Sequence, residues 1–336
     1  MIKVELFECL DAVERDAAGA LDRERQACLF DRLSWYRLLE RHCPPPGKLL
    51  VARAEDASGG RSWQFLSVQQ RRAQAYANWY SFQAEEITSG RSNAGRSAAI
   101  ARALRAAGLV SLERQPLRDI ADAKASYAGS GWSVFADETS ATWFADVQGL
   151  SFDAYWNKRP AKLRHTAERK AKSALLSTSI YSDFTVGAWS DYESVYRESW
   201  KPEEGSPAFL RALAEQEGAA GTLRLGIARI KDQAVAAQFW LVENGRATIH
   251  KLAYCEGARR HSPGTLLSMA MFRHVIDDDR ADMIDFGLGD EPYKADWMNR
   301  REPVGRVVAY NRATSLGLAG SARETAAALV RRLRNN

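Results

Sequence analysis

From residue 222 to residue 254 apolar positions come in short runs of strand length, separated by polar turn signals. The spacing predicts strands over 222–231 and 234–243, broken at Lys231-Asp232-Gln233, and a third over 246–254, joined through the hairpin pair Asn244-Gly245. Helical periodicity takes over in 265–276, followed by a strand over 283–289 that ends in glycines and a closing strand over 304–310. Residues 1–8 alternate acidic and apolar and predict a first strand; 92–107 predicts a helix. Antiparallel strands feeding a helix and further strands describe an α+β chain, with mixed sheets and helices on their faces.

The pattern occurs twice. Residues 64–80 lie without a gap on 238–254, with six of 17 positions identical, and Leu50-Val-Ala-Arg53 answers Gly226-Ile-Ala-Arg229 just upstream. Two similar halves are expected, divided as 1–140 and 141–312 with a basic helical tail over 313–336. The Ala-, Ser-, Gly- and Asp-rich stretch 117–141 is expected to link them.

Composition narrows the class. At 336 residues the chain exceeds the size at which one core keeps growing, and 46% hydrophobic with 26% charged residues is ordinary globular usage. Apolar stretches are interrupted well before the roughly 20 residues of a membrane span. The N-terminus lacks the layout of a secretory signal, so a cytoplasmic protein is expected. Cys9, Cys28, Cys43 and Cys255 show no metal or disulfide spacing, and no metal is expected. The net charge of +5, from 47 basic and 42 acidic residues, favours an anionic ligand without requiring DNA.

One turn suits such a ligand. In Arg259-Arg260-His261-Ser262-Pro263-Gly264-Thr265, Ser262 is the expected N-cap, Pro263 fits the first helical position and Gly264 permits close backbone approach. Free amides and the positive end of the helix dipole would then converge on one point. At the aligned positions of the first half Gly90 is retained, but Glu85 and Glu86 replace Arg259 and Arg260. The second copy is built to attract an anion and the first to repel it.

Arg259-x-x-Ser262-x-Gly264 resembles the coenzyme A pyrophosphate signature of the GNAT acyltransferase superfamily, with Ser262 in place of its first glycine. Asp285-Phe-Gly-Leu-Gly-Asp290-Glu291-Pro-Tyr293-Lys294-Ala-Asp-Trp297 is similar to a block of the CelD-type acetyltransferases of cellulose and exopolysaccharide biosynthesis, relatives of the FemAB transferases. The resemblance covers about residues 25–312. It implies two tandem GNAT-like domains, the first without the coenzyme A motif, and acetyl-CoA or a longer acyl-CoA as donor. An amine attacks the thioester directly, and no Gly-x-Ser-x-Gly nucleophile motif is present. The resemblance also implies that Leu252, Ala253 and Tyr254 offer main-chain groups to the donor and that Tyr293 is the acid for the leaving thiolate. Asp285, Asp290 and Glu291 are candidates for the base or for holding the ammonium, Lys294 for contact with an anionic acceptor or the oxyanion, and His250 for a base or a core histidine. Trp189, Trp200 and residues 201–207 are expected to border the acceptor.

Two basic segments remain. After Pro160, Lys162, His165, Arg169 and Lys172 fall within an arc of about 80° opposite Leu163, Ala167, Ala171 and Ala174, either as a solvated face or as a contact for an anionic polymer. In the tail, Leu329, Val330 and Leu333 share one side with Arg323, Arg331 and Arg334 beside them. A peripheral helix docked on the domain is expected, with membrane-surface or partner contact as the alternative. The leading function is an acyl-CoA dependent N-acyltransferase acting on an amine of a sugar, a polysaccharide precursor or a small metabolite. The alternatives are FemAB-like transfer from aminoacyl-tRNA, acylation of a peptide or protein side chain, and a silent binding module.

Overall fold

The computed structural model describes residues 1–173 and 176–335; Ala174 and the side chains of Arg331 and Arg334 lie outside the described residues. In chain order the strands are β1 (Lys3–Phe7), β2 (Lys48–Glu55), β3 (Arg61–Gln69), β4 (Arg72–Ala75), β5 (Ile87–Ser89), β6 (Ser111–Leu117), β7 (Trp132–Asp146), β8 (Leu176–Tyr181), β9 (Leu223–Ile230), β10 (Gln233–Glu243), β11 (Arg246–Tyr254), β12 (Met283–Leu288) and β13 (Arg300–Asn311). The α-helices are α1 (Leu10–Ala17), α2 (Leu33–His42), α3 (Ala94–Ala106), α4 (Ile120–Ala128), α5 (Phe152–Trp156), α6 (Ala161–Ser173), α7 (Val186–Arg197), α8 (Pro207–Ala219), α9 (Pro263–Arg273), α10 (Lys294–Trp297) and α11 (Ser315–Asn335). The meander β9–β10–β11 follows the predicted strand order, and Asn244 and Gly245 both take the positive φ that a tight hairpin requires.

The chain forms two compact units, one of 1–141 and 303–336, the other of 142–302. This cut differs from a division at 312, because β13 lies beside β6 in the first unit. The stretch 117–141 is not a linker. Asp119 caps α4 by accepting from the amide of Asp122 at 2.9 Å, and Ala123, Tyr127 and Trp132 are buried in the core of the first unit.

In the first unit the strand order is β1-β2-β3-β4-β6-β13, with β5 also against β3. In the second it is β7-β12-β11-β10-β9-β8. The sequence repeat is a repeat of register. Leu66 opposes Ala75 as Trp240 opposes Ile249, and Gln69 opposes Arg72 as Glu243 opposes Arg246. Both units then add a parallel strand, with Gln74 opposite Glu113 and Thr248 opposite Asp285. The strand that completes each sheet is borrowed along the chain: β7 pairs with β12 in the second unit and β13 with β6 in the first.

The copies part after this ladder. In the first unit the amide of Tyr76 still reaches Phe65 O at 2.9 Å, but the chain then leaves the sheet and returns only at β5, where Ile87 opposes Trp63. In the second unit β11 runs on to Tyr254, opposite Ala236, after a bulge that places His250 between Ile249 and Lys251. Adjacent residues of β10 face opposite ways, so Phe239 meets Trp189 of α7 while Trp240 meets Phe272 of α9. Each face of this sheet is thereby covered by a helix, with Trp240, Phe272 and Trp297 in one apolar cluster.

Candidate functional site

The site lies where β11 and β12 cease to pair. Arg246–Met283, Ala247–Ile284 and Thr248–Asp285 form a parallel ladder that ends there, while β11 runs on against β10 to Tyr254. The cause lies in β12. Its register against β7 shifts between Asp285 and Leu288, and Gly287 takes φ of +67° in the bulge. A bulge bends its strand and breaks the local ladder, so β12 diverges from β11 before Leu252–Tyr254 is reached. Leu252, Ala253 and Tyr254 form the end of β11.

The turn after β11 is a short 3-10 segment, Glu256–His261, that leads into α9. Ser262 does not cap the helix through its hydroxyl; it adopts a left-handed conformation, φ 52° and ψ 46°, the backbone state that favours the glycine it replaces. The first helical hydrogen bond here runs from Leu266 N to Ser262 O, so the amides of Gly264 and Thr265 sit at the open end of the helix dipole, with Pro263 at its first turn. A Cβ on Gly264 would come within 3.1 Å of the Tyr254 ring, which sets the close approach of turn and strand. Gln238 fixes the turn from beneath, donating to Ser268 Oγ at 2.8 Å and to Gly264 O at 3.3 Å. Arg259 and Arg260 are exposed; Arg260 donates to His261 Nε2 at 3.0 Å, and Arg259 forms no ion pair among the described residues. Lys170 of α6 donates to Arg260 O, which brings the cationic helix against this turn. On α6, Lys162, His165, Arg169 and Lys172 are exposed and Ala167 is buried, while Ala171, expected on the apolar arc, is exposed.

The first unit lacks this arrangement. Glu86 accepts from Gln64 and Ser97 at 2.8 and 2.7 Å, and Glu85 accepts from the amides of Arg118 and Asp119. Its two carboxylates are consumed inside the fold.

The carboxylates of β12 and of the loop after it have distinct surroundings. Asp285 is buried, accepts from Thr142 Oγ1 at 3.0 Å and from Gly287 N at 2.9 Å, and has Arg246 at 3.7 Å, so it holds the bulge. Asp290 is held by Arg301 through both oxygens and by Trp143 Nε1 at 2.9 Å, and the guanidinium keeps its carboxyl below the usual range, which makes it a poor base. Glu291, exposed like Asp290 but not held by an arginine among the described residues, lies 3.1 Å from Lys294. Lys294 is 3% exposed, and its ammonium donates to Leu288 O and Gly289 O at 2.8 and 3.1 Å. All three of its donors are thus engaged in shaping the loop, and burial lowers its pKa. Tyr293 sets its ring edge-on to Phe286 at 5.7 Å, and partial burial beside Glu291 pushes its hydroxyl up to about 12, so it stays a proton donor at neutral pH. His250 stacks on Phe239 at 5.4 Å, and burial next to Lys251 drives its pKa down to about 3. The imidazole is neutral and faces the α7 side of the sheet.

Beside the end of β11 lies a cavity of about 550 Å³ between α7, α8 and residues 201–207, lined by Trp189, Tyr192, Tyr196, Glu193, Lys201 and Glu204 among others. Its loop is tied to the strand. Ser199 bridges to Cys255, and Glu204 pairs with Lys251 at 3.1 Å. Trp189 lines this cavity, whereas Trp200 is 54% exposed with Lys201 above its ring. The loop 201–207, with Lys201 and Glu204, was expected near the acceptor, whereas Tyr196 and Lys251 went unnoticed in the sequence because no motif or period marks them. Only the folding of α7 onto β11 brings them together. Burial and the neighbouring Lys251 lower the Lys201 ammonium to about 8.

Residues 161–295 match the family described as an acetyltransferase (GNAT) domain, so the chain is an acyltransferase. No curated protein matches. Similar solved structures include the C-terminal domain (DUF2156) of a putative lysylphosphatidylglycerol synthetase from Agrobacterium fabrum, 14% identical, with 93% of this chain and 95% of that one covered at a TM-score of 0.57. A tandem GNAT protein from the clavulanic acid biosynthesis pathway is 15% identical over 91% of this chain and 98% of its own, at 0.53. FemX is 9% identical over 90% and 96%, at 0.59. At these identities the likeness is one of fold: mixed sheets flanked by helices, as in tandem GNAT proteins.

Proposed function

We propose that the chain is an acyl-CoA dependent N-acyltransferase, with acetyl-CoA or a longer acyl-CoA as donor and an amine of a sugar, polysaccharide precursor or small metabolite as acceptor, in the manner of the CelD-type enzymes its Asp285–Trp297 block resembles. One observation carries the reading: the β11–β12 ladder ends at Thr248, and the end of β11, Leu252–Tyr254, leads directly to the open helix end at Ser262–Thr265, flanked by Arg259 and Arg260. A pantetheine arm is an extended chain with amide groups and suits a strand edge; its pyrophosphate suits exposed amides at a helix N-terminus beside arginine. The second unit has both features, while the first, with its interrupted strand and engaged glutamates, has neither.

The acceptor enters from the cavity beside α7 and α8. Its neutral amine attacks the thioester carbonyl carbon, the C–N bond forms and the C–S bond breaks. Tyr293 gives its proton to the departing thiolate, and the proton lost by the amine passes to solvent or to Glu291, the exposed carboxylate nearest the loop. Main-chain amides of β11 polarise the carbonyl. Dependence on acyl-CoA supports a cytoplasmic setting.

Calorimetric titration with CoA, acetyl-CoA and a longer acyl-CoA tests the donor. Micromolar binding weakened at least about tenfold by Arg259→Ala supports it; absence of binding to all three overturns it. Transfer from aminoacyl-tRNA is the second reading, favoured by the exposed cationic face of α6 adjoining the same turn. Binding of charged tRNA in the absence of any acyl-CoA binding would select it.

A further inference from the structure

Helix α11 is turned the wrong way for a helix that merely packs on its own domain. Its inner side is made of small or polar residues: Gly317 is buried, a Cβ on Gly320 would collide with the Tyr310 ring, and the Glu324 carboxylate helps raise the Tyr310 pKa. Its large apolar side chains point outward, with Leu316 60%, Leu318 54%, Leu329 59%, Val330 49% and Leu333 70% exposed. At 100° per residue Leu318, Ala322, Ala326, Leu329 and Leu333 fall within about 80° of arc, roughly opposite Gly317 and Glu324. This corrects the expectation that Leu329, Val330 and Leu333 dock inward. The inner side is glycine because Tyr310 and Asn311 sit too close for anything larger.

Charge selects what covers the outer side. After Asn311 the sequence has Arg312, Arg323, Arg331, Arg332 and Arg334 against the single acid Glu324, which accounts for most of the chain's net charge of +5. A second copy would bring the same excess of arginine with one glutamate to answer it. An anionic bilayer supplies both an apolar boundary and negative charge. A helix of 21 residues spans about 31 Å, yet among the described residues no helix is long and apolar enough to cross a membrane, so its place is in the plane of the surface. We propose that α11 docks this protein on anionic membrane surfaces, with its Leu/Ala stripe at the acyl boundary and its arginines among the head groups.

The test is sedimentation of the full chain with phosphatidylcholine vesicles, with and without phosphatidylglycerol, alongside Leu329→Glu/Leu333→Glu and Arg323→Gln variants. The expected result is pelleting with anionic vesicles at least about tenfold above neutral ones, reduced about tenfold or more by the double leucine variant and less by Arg323→Gln. Because the substituted leucines are exposed, thermal unfolding of the soluble variants should match that of the parent, which separates lost docking from lost folding. Equal pelleting by parent and leucine variant, or none by the parent, overturns the proposal. A concentration-dependent dimer abolished by the same leucine changes, without vesicle binding, overturns it in favour of a second copy.

Discussion

Thr142 donates its hydroxyl hydrogen to the carboxylate of Asp285 at 3.0 Å, joining β7 to β12 inside the second unit. The same carboxylate accepts the amide of Gly287, so a single buried acid pins both the neighbouring strand and the bulge that ends the β11–β12 ladder. The point at which β12 leaves β11 therefore depends on a residue that need never touch substrate.

Replacing Asp285 with Ala leaves the Gly287 amide without its acceptor in a buried place and the Thr142 hydroxyl with Gly287 O at 3.2 Å in its stead. The expected cost is about 2–3 kcal/mol of stability, read as a lower denaturant midpoint. Donor affinity should fall with it, because the bulge shapes the strand edge. Full stability together with loss of turnover would instead make Asp285 part of the chemistry.

Arg259 and Tyr293 should separate binding from turnover. Arg259→Ala is expected to raise the donor Kd at least about tenfold with little change in kcat at saturating donor. Tyr293→Phe is expected to lower kcat by about 10²-fold or more with donor affinity retained. Both side chains are substantially exposed, so neither change should move the unfolding midpoint much. Mild and equal losses in both variants would count against the assigned roles.

Lys201 should stand out among the lysines as a nucleophile. With its pKa lowered from 10.5 to about 8, roughly half of it is neutral at pH 8, so limited labelling with an amine-reactive reagent, mapped by mass spectrometry, should mark it ahead of the exposed lysines. Between pH 8 and 10.5 the unfolded chain holds this proton and the folded one does not, so its contribution to stability rises with pH over that window and is lowest below it. Lys201→Met should flatten that slope. Labelling no faster than at Lys162 would contradict the burial.

His250 should remain neutral throughout the physiological range. Its folded pKa of about 3 lies below the ordinary 6.5, so the unfolded chain takes up a proton first as pH falls, and the folded state loses stability from pH 6.5 down towards 3. An NMR titration should show an unmoved His250 imidazole between pH 5 and 8, and a pH–rate profile should carry no ionisation from it. A group titrating near 6.5 that disappears in His250→Gln would reverse that assignment and restore the histidine as a base.

The arrangement of strands in each half was legible because alternation, the Asn244-Gly245 hairpin and the repeated Gln-Phe-x-x-Val runs are local signals, and register follows from them. The helix-start turn proposed to hold the donor has a local signature for the same reason: Ser262, Pro263 and Gly264 are adjacent, and their conformational preferences act within one helical turn. Even there the sequence misplaced a detail, since a serine before a proline reads as a side-chain cap but is here held in the left-handed state by the turn. Tertiary structure decided the rest. Which strand completes each sheet depends on pairings across more than a hundred residues, so β7 and β13 carry no local mark of their destination. The surroundings of Asp285, Asp290 and Lys294 were set by Thr142, Arg301 and the carbonyls of the loop, partners that engage these three candidate groups within the fold. Lys201 acquired its lowered pKa only from the burial and the Lys251 charge that folding places beside it. Sequence determines what depends on neighbours along the chain; desolvation and pairing depend on neighbours in space.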